Sequence, residues 1–385
     1  MTGVGECSAM EWRKHARALA AVATPPGSRW RGAVESVPRH AFVPRWWEYA
    51  SSGWELRDGT SDHRMWLEAA YSDQTLVTRV GALHADHAGP GAVPAGLPTS
   101  SSTLPGLVVQ MYRHASIGDR CTVLDVGTGS GYGTAVLCAR LGAARVSAVD
   151  VDPYLNSAAR DRLDELGHQP ELITTDAQGP LPGRWDRVVA MVSVRTVPPS
   201  WLEALHVGGR LVTTLADMGL VLTAEKREDG TAAGRIERDQ AMFMHARTGD
   251  DYPPYDPALS ELAETAAGEY VTRGRYPVLD VVEAWDVRTM LEILAPGIEH
   301  HYLEKGDLRV AVMTHEDGSW ARAEEREGDV TVHQGGPRRL WDHLDVVRDH
   351  WIRHGELPFR GARATIGHDG VITLRRGRWK AIIGR

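Results

Sequence analysis

The chain has 385 residues, 42% of them hydrophobic and 24% charged, a length that exceeds one ordinary core and predicts two domains. No apolar run is long enough to cross a bilayer, and the first two dozen residues lack the apolar core and cleavage site of an export signal, which predicts a cytoplasmic protein with no membrane partner. A formal charge of −8 disfavours nucleic acid as a partner. Cys7, Cys121 and Cys138 form neither a disulfide framework nor a zinc pattern, and the scattered histidines lack ligand spacing, so no metal site is expected.

Residues 8–23 read as a helix with Trp12, Ala16, Leu19 and Ala23 near one face, stopped by Pro25-Pro26-Gly27. Arg31-Gly-Ala-Val-Glu-Ser-Val-Pro-Arg-His-Ala-Phe-Val-Pro44 follows, a short helix closed by Pro38 and a second segment closed by Pro44. Residues 81–98, rich in Gly, Ala, Pro and His, have the length of a loop kept for a function or left mobile. Thr99-Ser100-Ser101-Ser102-Thr103 then leads into an apolar helix from Leu104 to His114, with Thr103 expected as its N-cap.

Val123-Leu124-Asp125-Val126 reads as a buried strand, Gly127-Thr128-Gly129-Ser130-Gly131 as a tight turn, and Tyr132 to Leu141 as a turn residue followed by a helix. Strand, glycine turn and helix N-terminus together offer free N–H groups at the carboxyl end of a parallel sheet. The spacing is not the dinucleotide G-x-G-x-x-G, and Asp125 just ahead of it would repel a pyrophosphate but suits a cation. Strands ending in Asp150 and in Asp176 follow, the first at the distance at which a carboxylate meets ribose hydroxyls. Strand-end Asp residues are also common turn formers and helix caps; three in succession after this turn favour ligand binding. A fourth strand is read over residues 183–192, a helix at 201–205, a strand around Val207-Gly-Gly-Arg-Leu-Val-Thr213, and a hairpin of Leu220 to Lys226 with Ile236 to His245.

The acidic-x-Gly-x-Gly-x-Gly pattern resembles motif I of class I S-adenosylmethionine methyltransferases. Val37-Pro-Arg-His-Ala-Phe-Val-Pro44 and Ala70-Tyr-Ser-Asp73 closely resemble signatures of the protein-L-isoaspartate O-methyltransferases, and the likeness runs from about Arg31 to Arg247. The family's Gly-Gln-Thr-x-Ser-x-Pro is met here by Thr99 and Ser101, with Pro98 in place of the Gln and Thr103 in place of the Pro. The resemblance implies an α/β, Rossmann-like doubly wound sheet with an N-terminal helical cap. It implies S-adenosylmethionine held by Asp125, Gly127, Thr128, Gly129, Gly131, Tyr132, Asp150, Val151, Asp176 and Ala177, with S-adenosylhomocysteine as product. It places the carboxylate to be methylated beside Thr99 and Ser101, with Ser100 and Ser102 also at the substrate.

Asp250-Asp-Tyr-Pro-Pro-Tyr-Asp-Pro257 reads as a linker. The expected division is 1–98 for the cap and substrate loop, 99–247 for the cofactor domain, and 248–385 for an additional α+β domain that the repair enzymes are expected to lack. That last part reads as a helix from 288 to 294, a meander turning at Asp317-Gly318, a helix opened by Gly335-Gly-Pro-Arg-Arg-Leu-Trp-Asp342, and two strands around Asp369-Gly370. Basic residues exceed acidic ones after Trp351, and Arg338 and Arg339 are expected to receive an anionic peptide. A repair-type fold with such a module is similar to the methyltransferases that accompany ATP-grasp (graspetide) or lanthipeptide maturases. These methylate an Asp in a cross-linked ribosomal peptide and so lead to an aspartimide or an isoaspartate. The other reading is an isoaspartate repair enzyme acting on damaged proteins.

Overall fold

The computed structural model describes residues 3–51, 53–248 and 265–384, with side chains from residue 11 onward. A ten-stranded sheet organises the chain. From one edge its strands are Glu171–Thr174, Val146–Asp150, Val123–Val126, Trp185–Val194 and Leu205–Leu215, all parallel, followed by Leu220–Lys226 and Ala232–Gln240, which are antiparallel. Val123–Val126 is buried along its whole length, as expected for a parallel strand covered on both faces. Both its neighbours, Val146–Asp150 and Trp185–Val194, follow it in sequence, the chain winding first to one side and then to the other, so the strand order reverses there and a crevice opens at the carboxyl ends. Helices Tyr132–Leu141 and Pro153–Glu165 cover the sheet beside that crevice.

The N-terminal cap is helical only in part. Helices Gly3–Ala23, Arg31–Ser36 and His63–Ala70 are joined by a five-stranded antiparallel sheet of Gly53–Asp58, Arg45–Ala50, Leu76–Val80, Leu83–His84 and Pro98–Ser102. The serine run is therefore a strand, paired with Leu76–Val80. Thr103 does not cap the next helix, which begins at Pro105 with Leu104 as N-cap. Pro105 fixes the start by its preset φ, and Asp73 Oδ1 accepts the Gly106 N–H at 2.7 Å while Thr75 Oγ1 accepts that of Leu104 at 3.2 Å. The loop 81–98 folds back on itself through Gly81 N–H to the Leu97 carbonyl (2.8 Å), and Trp47 Nε1 donates to the Leu83 carbonyl. Ala85 and Ala88 pack under Trp47.

The segment read as a linker, Asp250–Pro257, lies outside the described residues. Beyond it, Tyr270–Arg273, Asp329–Gly335, Trp320–Arg326, Leu308–Thr314 and Glu299–Lys305 form a third sheet with helix Leu340–His354 against it and helix Trp285–Leu294 packed on that helix. The chain then returns to the central sheet. Arg363–Ile366 pairs with Ala232–Gln240, and Ile372–Arg376 and Trp379–Ile383 extend the sheet to its edge. A cut at residue 248 thus does not separate two bodies: Leu222 and Ile236 share one apolar core with Leu291, Leu344, Phe359, Ile366 and Leu374. Alternating apolar residues in two short strands revealed β-structure but not its partner sheet. Among the described residues no helix is long and apolar enough to cross a membrane.

This continuity predicts the response to one deletion. Leu374→Ala, at a fully buried position, should cost about 2–5 kcal/mol. Because the core is shared, chemical denaturation followed by tryptophan fluorescence and by loss of cofactor binding should shift together. Two separated transitions, with only one displaced, would contradict a common core.

Candidate functional site

A cavity of about 220 Å³ opens at the strand-order reversal, lined by Gly127 to Ser130, Asp125, Asp150, Asp176 and the strand of Thr99 to Ser101. The glycine turn explains its own sequence. Gly127, Gly129 and Gly131 have φ of 93°, 52° and 88°, a region that favours glycine. A Cβ on Gly129 would lie 3.3 Å from the Ser101 carbonyl oxygen, and one on Gly131 would meet Ala159 Cβ at 2.9 Å. Gly131 does not line the cavity; its place is against helix Pro153–Glu165.

Three carboxylates stand at three successive strand ends, in different states. Asp125 is 1% exposed. Its Oδ2 accepts the Thr134 hydroxyl at 2.8 Å, while its Oδ1 is buried without a partner. Burial pushes this carboxyl up to about 7, only partly offset by Thr134. Asp150 is raised by burial as well, opposed by the N–H groups of Gly129 (2.9 Å to Oδ2) and Asp152 (3.0 Å to Oδ1). It therefore clamps the glycine turn to the next strand. Asp176 accepts the Gln178 N–H at 2.8 Å, and the Ala177 carbonyl receives Trp201 Nε1 at 2.6 Å. Thr128, Val151 and Ala177 line the cavity, as does Tyr132.

A single buried cation positions the opposite wall. Arg39 is fully buried and donates to five carbonyls: Ala70 and Ser72 through one nitrogen, Gln74, Ser102 and Thr103 through the other, at 2.8–3.3 Å. Burial lowers its guanidinium to about 10, which leaves it charged at neutral pH. Its guanidinium also stands 5.5 Å from the ring of Tyr132. The second short signature, Ala70 to Asp73, is thereby tied to the first and to the serine strand.

Within that strand the hydroxyls divide. Thr99 Oγ1 donates to the Gly81 carbonyl at 2.8 Å, and Ser100 Oγ accepts from Thr78 at 3.0 Å. Ser101 lines the cavity, and its hydroxyl has no partner among the described residues. Ser102 points away from the cavity into the interior, holding Arg39 by its carbonyl. Arg338 and Arg339 do not join the site. They precede helix Leu340–His354, Arg338 pairing with Asp317 at 2.7 Å and Arg339 with Asp342 at 3.3 Å and standing over Tyr270. Each is thus matched to a local carboxylate and set apart from the cavity at which they are expected to deliver an anionic peptide.

The segment 241–247, read from its alternation as hairpin strand as far as His245, is not part of that strand. Strand Ala232–Gln240 stops before it, and Met242 to Arg247 crosses back over the cavity. Ser193 secures it, donating its N–H to Met244 and its hydroxyl to Phe243 and accepting from Ala246, at 2.8–2.9 Å. Alternation through Ile236 to His245 concealed the departure, although Met242-Phe-Met244 offered more apolar bulk than an exposed edge requires. His84 of the 81–98 loop docks beside the same cavity, its Nε2 2.9 Å from Asp152. Burial would raise Asp152, but His84 and Arg79 outweigh it and hold that carboxyl down near 2.

The model of the family described as protein-L-isoaspartate(D-aspartate) O-methyltransferase matches residues 90–247. A protein-L-isoaspartate O-methyltransferase of Maricaulis maris is 28% identical over 58% of this chain and 80% of its own length. That of Ignicoccus hospitalis is 33% identical, over 47% of this chain and 70% of its own. A solved structure titled protein-L-isoaspartate O-methyltransferase aligns over 96% of this chain and 98% of its own at 15% identity, with a TM-score of 0.50. At that identity the likeness concerns the fold alone, but it extends over the C-terminal module. A module expected to be missing from such enzymes therefore has a counterpart in one.

The state of Asp125 has a consequence for ligand binding. A cation can pair with its free Oδ1 only when the carboxyl is ionised, which below about pH 7 requires loss of a proton. Affinity for S-adenosylhomocysteine, whose amino group is cationic, should therefore rise with pH up to about 7 and level off above it. Asp125→Asn should bind more weakly, by about 1.5–3 kcal/mol, and lose that pH dependence. Calorimetry across this range decides the point; equal affinity and an unchanged profile in the variant would contradict it.

Proposed function

This chain belongs to the protein-L-isoaspartate O-methyltransferase family, and from that premise we propose that it esterifies a side-chain or isoaspartyl carboxylate of a polypeptide at the cavity between Asp125 and Ser101. S-adenosylmethionine is the methyl donor and supplies an electrophilic methyl group on sulfur when bound. The observation that carries the reading is the pairing of an orphaned buried carboxylate oxygen on Asp125 with an uncommitted hydroxyl on Ser101, on facing walls of one cavity.

In this reading Asp125 takes the donor's ammonium group, Asp150 its ribose hydroxyls, and Asp176 with Ala177 its adenine. Backbone at Gly127, Thr128 and Gly129 lies against it, with Val151 and Tyr132 alongside. The acceptor carboxylate is already ionised at neutral pH, so no strong base is required. What the chain must do is orient one oxygen and exclude water. The Ser101 hydroxyl donates to one acceptor oxygen and leaves the other free to react. Thr99 supports it by pinning the strand to Gly81. Met191, Met242, Phe243 and Met244 supply the apolar cover.

The finer reading is that the acceptor is an Asp of an acidic, cross-linked ribosomal peptide made in the cytoplasm. Its ester would be attacked by the following backbone amide nitrogen, with loss of methanol, to give an aspartimide and, after hydrolysis, an isoaspartate. Pro98 supports this reading: the resemblance sets it where repair enzymes carry a Gln, at the start of the acceptor strand, so this chain lacks that side-chain amide there. Family membership by itself favours the other acceptor, an isoaspartyl residue in a damaged protein.

One peptide in three forms separates these acceptors: linear with Asp, linear with isoaspartate, and cross-linked with Asp. Methyl ester, or the aspartimide left when it loses methanol (one water lighter than the starting peptide), formed from the cross-linked form alone supports the finer reading, and from the isoaspartyl form alone supports repair. With the preferred form, Ser101→Ala should slow transfer by about 10–100-fold while S-adenosylhomocysteine affinity stays constant. Normal turnover with lowered thermal stability would give Ser101 a purely structural place.

A further inference from the structure

The three strands that the C-terminal segment adds to the central sheet carry a feature that methyl transfer does not use. Their core face is apolar: Ala364, Ile366, Ile372, Leu374 and Ile383 pack into the shared core beneath the C-terminal helices. The opposite face is open, with Arg363, Thr365, Arg375 and Lys380 all exposed. Register then sets cation beside cation. Arg235 lies across from Arg363, Arg363 across from Arg375, and Arg375 across from Lys380. Neighbouring strands are about 4.8 Å apart, so these four form one row.

Only the first member of the row is compensated. Arg235 Nε meets both oxygens of Glu237 at 3.0 Å. Arg363, Arg375 and Lys380 make no ion pair with any described residue, in contrast with Arg353, Arg360 and Arg376 of the same segment, each matched to a carboxylate. Like charges directly opposite destabilise a sheet. A lysine on an edge strand is a known guard against pairing with another chain, and that accounts for Lys380 on the edge strand Trp379–Ile383. It does not account for Arg363 and Arg375, whose strands are already paired on both sides.

We infer that this row is a docking surface for a short acidic segment of a polypeptide, whose carboxylates supply the counter-charges that the sheet lacks. Charge complementarity selects the occupant. A long polyanion would feel the chain's overall charge of −8, whereas a few carboxylates within a Debye length of about 10 Å respond chiefly to the row. Single-stranded nucleic acid binds through aromatic platforms as well as cations, and the one aromatic residue of these strands, Trp379, packs toward the core on the other face. Acidic side chains on one edge of an extended segment repeat every 6.6–6.8 Å, roughly two residues of strand, so two or three of them reach the three unmatched cations. The inference is independent of the methyl acceptor, because it concerns binding alone.

The test uses the full chain and a fluorescein-labelled polyglutamate peptide, read by anisotropy without methyl donor. Binding should weaken as salt rises, and replacing all three cations with glutamine (R363Q, R375Q, K380Q) should weaken it about tenfold. The control Arg353→Gln should leave it unchanged. Removing mutual repulsion should leave the triple variant at least as heat-stable as the parent, with S-adenosylhomocysteine binding intact. Undiminished peptide binding by the triple variant would overturn the inference. So would a loss of heat stability, which would make the cations structural, or equal competition by a single-stranded oligonucleotide of matched charge.

Discussion

The buried guanidinium of Arg39 is the constraint on which the rest of the site depends. A cation removed from water must recover its solvation from fixed dipoles, and here it does so from five carbonyls in two segments, 70–74 and 102–103. Hydrogen bonds to a charged group contribute about 1.5–3 kcal/mol each in mutational series, and these bonds share one donor group, so they act together. The acceptor strand, the turn carrying Asp73 and the start of helix Pro105–His114 are thus located by one side chain. Asp73 then completes the arrangement by holding the helix N-terminus through Gly106.

The opposite wall is held by a second shared group. Asp150 accepts N–H groups from Gly129 and Asp152, so the glycine turn and the following helix start cannot move independently. Between the walls, the peptide backbone of Ser101 approaches Gly129 so closely that a side chain there would force the two apart. Donor and acceptor positions are therefore set by backbone contacts, and uncommitted polar atoms, among them Asp125 Oδ1 and Ser101 Oγ, remain for ligands. Chemistry that depends on in-line placement more than on proton transfer suits such a frame.

How much of this the sequence disclosed depended on the range of the interactions. The glycine turn and its three strand-end carboxylates are local patterns, and the structure brings Asp125, Asp150 and Asp176 to one cavity. The N-cap assigned to Thr103 failed because the capping carboxylate comes from Asp73, thirty-three residues away. The strand at 98–102 was hidden by small polar residues of low β propensity, whose partner strand decides their conformation. Arg39 was visible as part of a signature, but nothing local shows that its side chain reaches five carbonyls. Nothing local to Arg338 and Arg339 shows that Asp317 and Asp342 are their partners, because the fold and the helix start make them neighbours. The return of residues 363–383 to the central sheet is a long-range pairing, and amphipathic alternation is silent on which sheet a strand joins.

The central claim is that the cavity between Asp125 and Ser101 makes a carboxyl ester. The most direct measurement is the lability of the methyl group after transfer from S-adenosylmethionine labelled on that methyl. An ester releases its label as volatile methanol in mild base, either by hydrolysis or by attack of the neighbouring amide, and the account predicts that nearly all incorporated label escapes in this way. Label that stays with the polypeptide through alkaline treatment would mean that nitrogen, sulfur or carbon had been methylated, and would contradict the account.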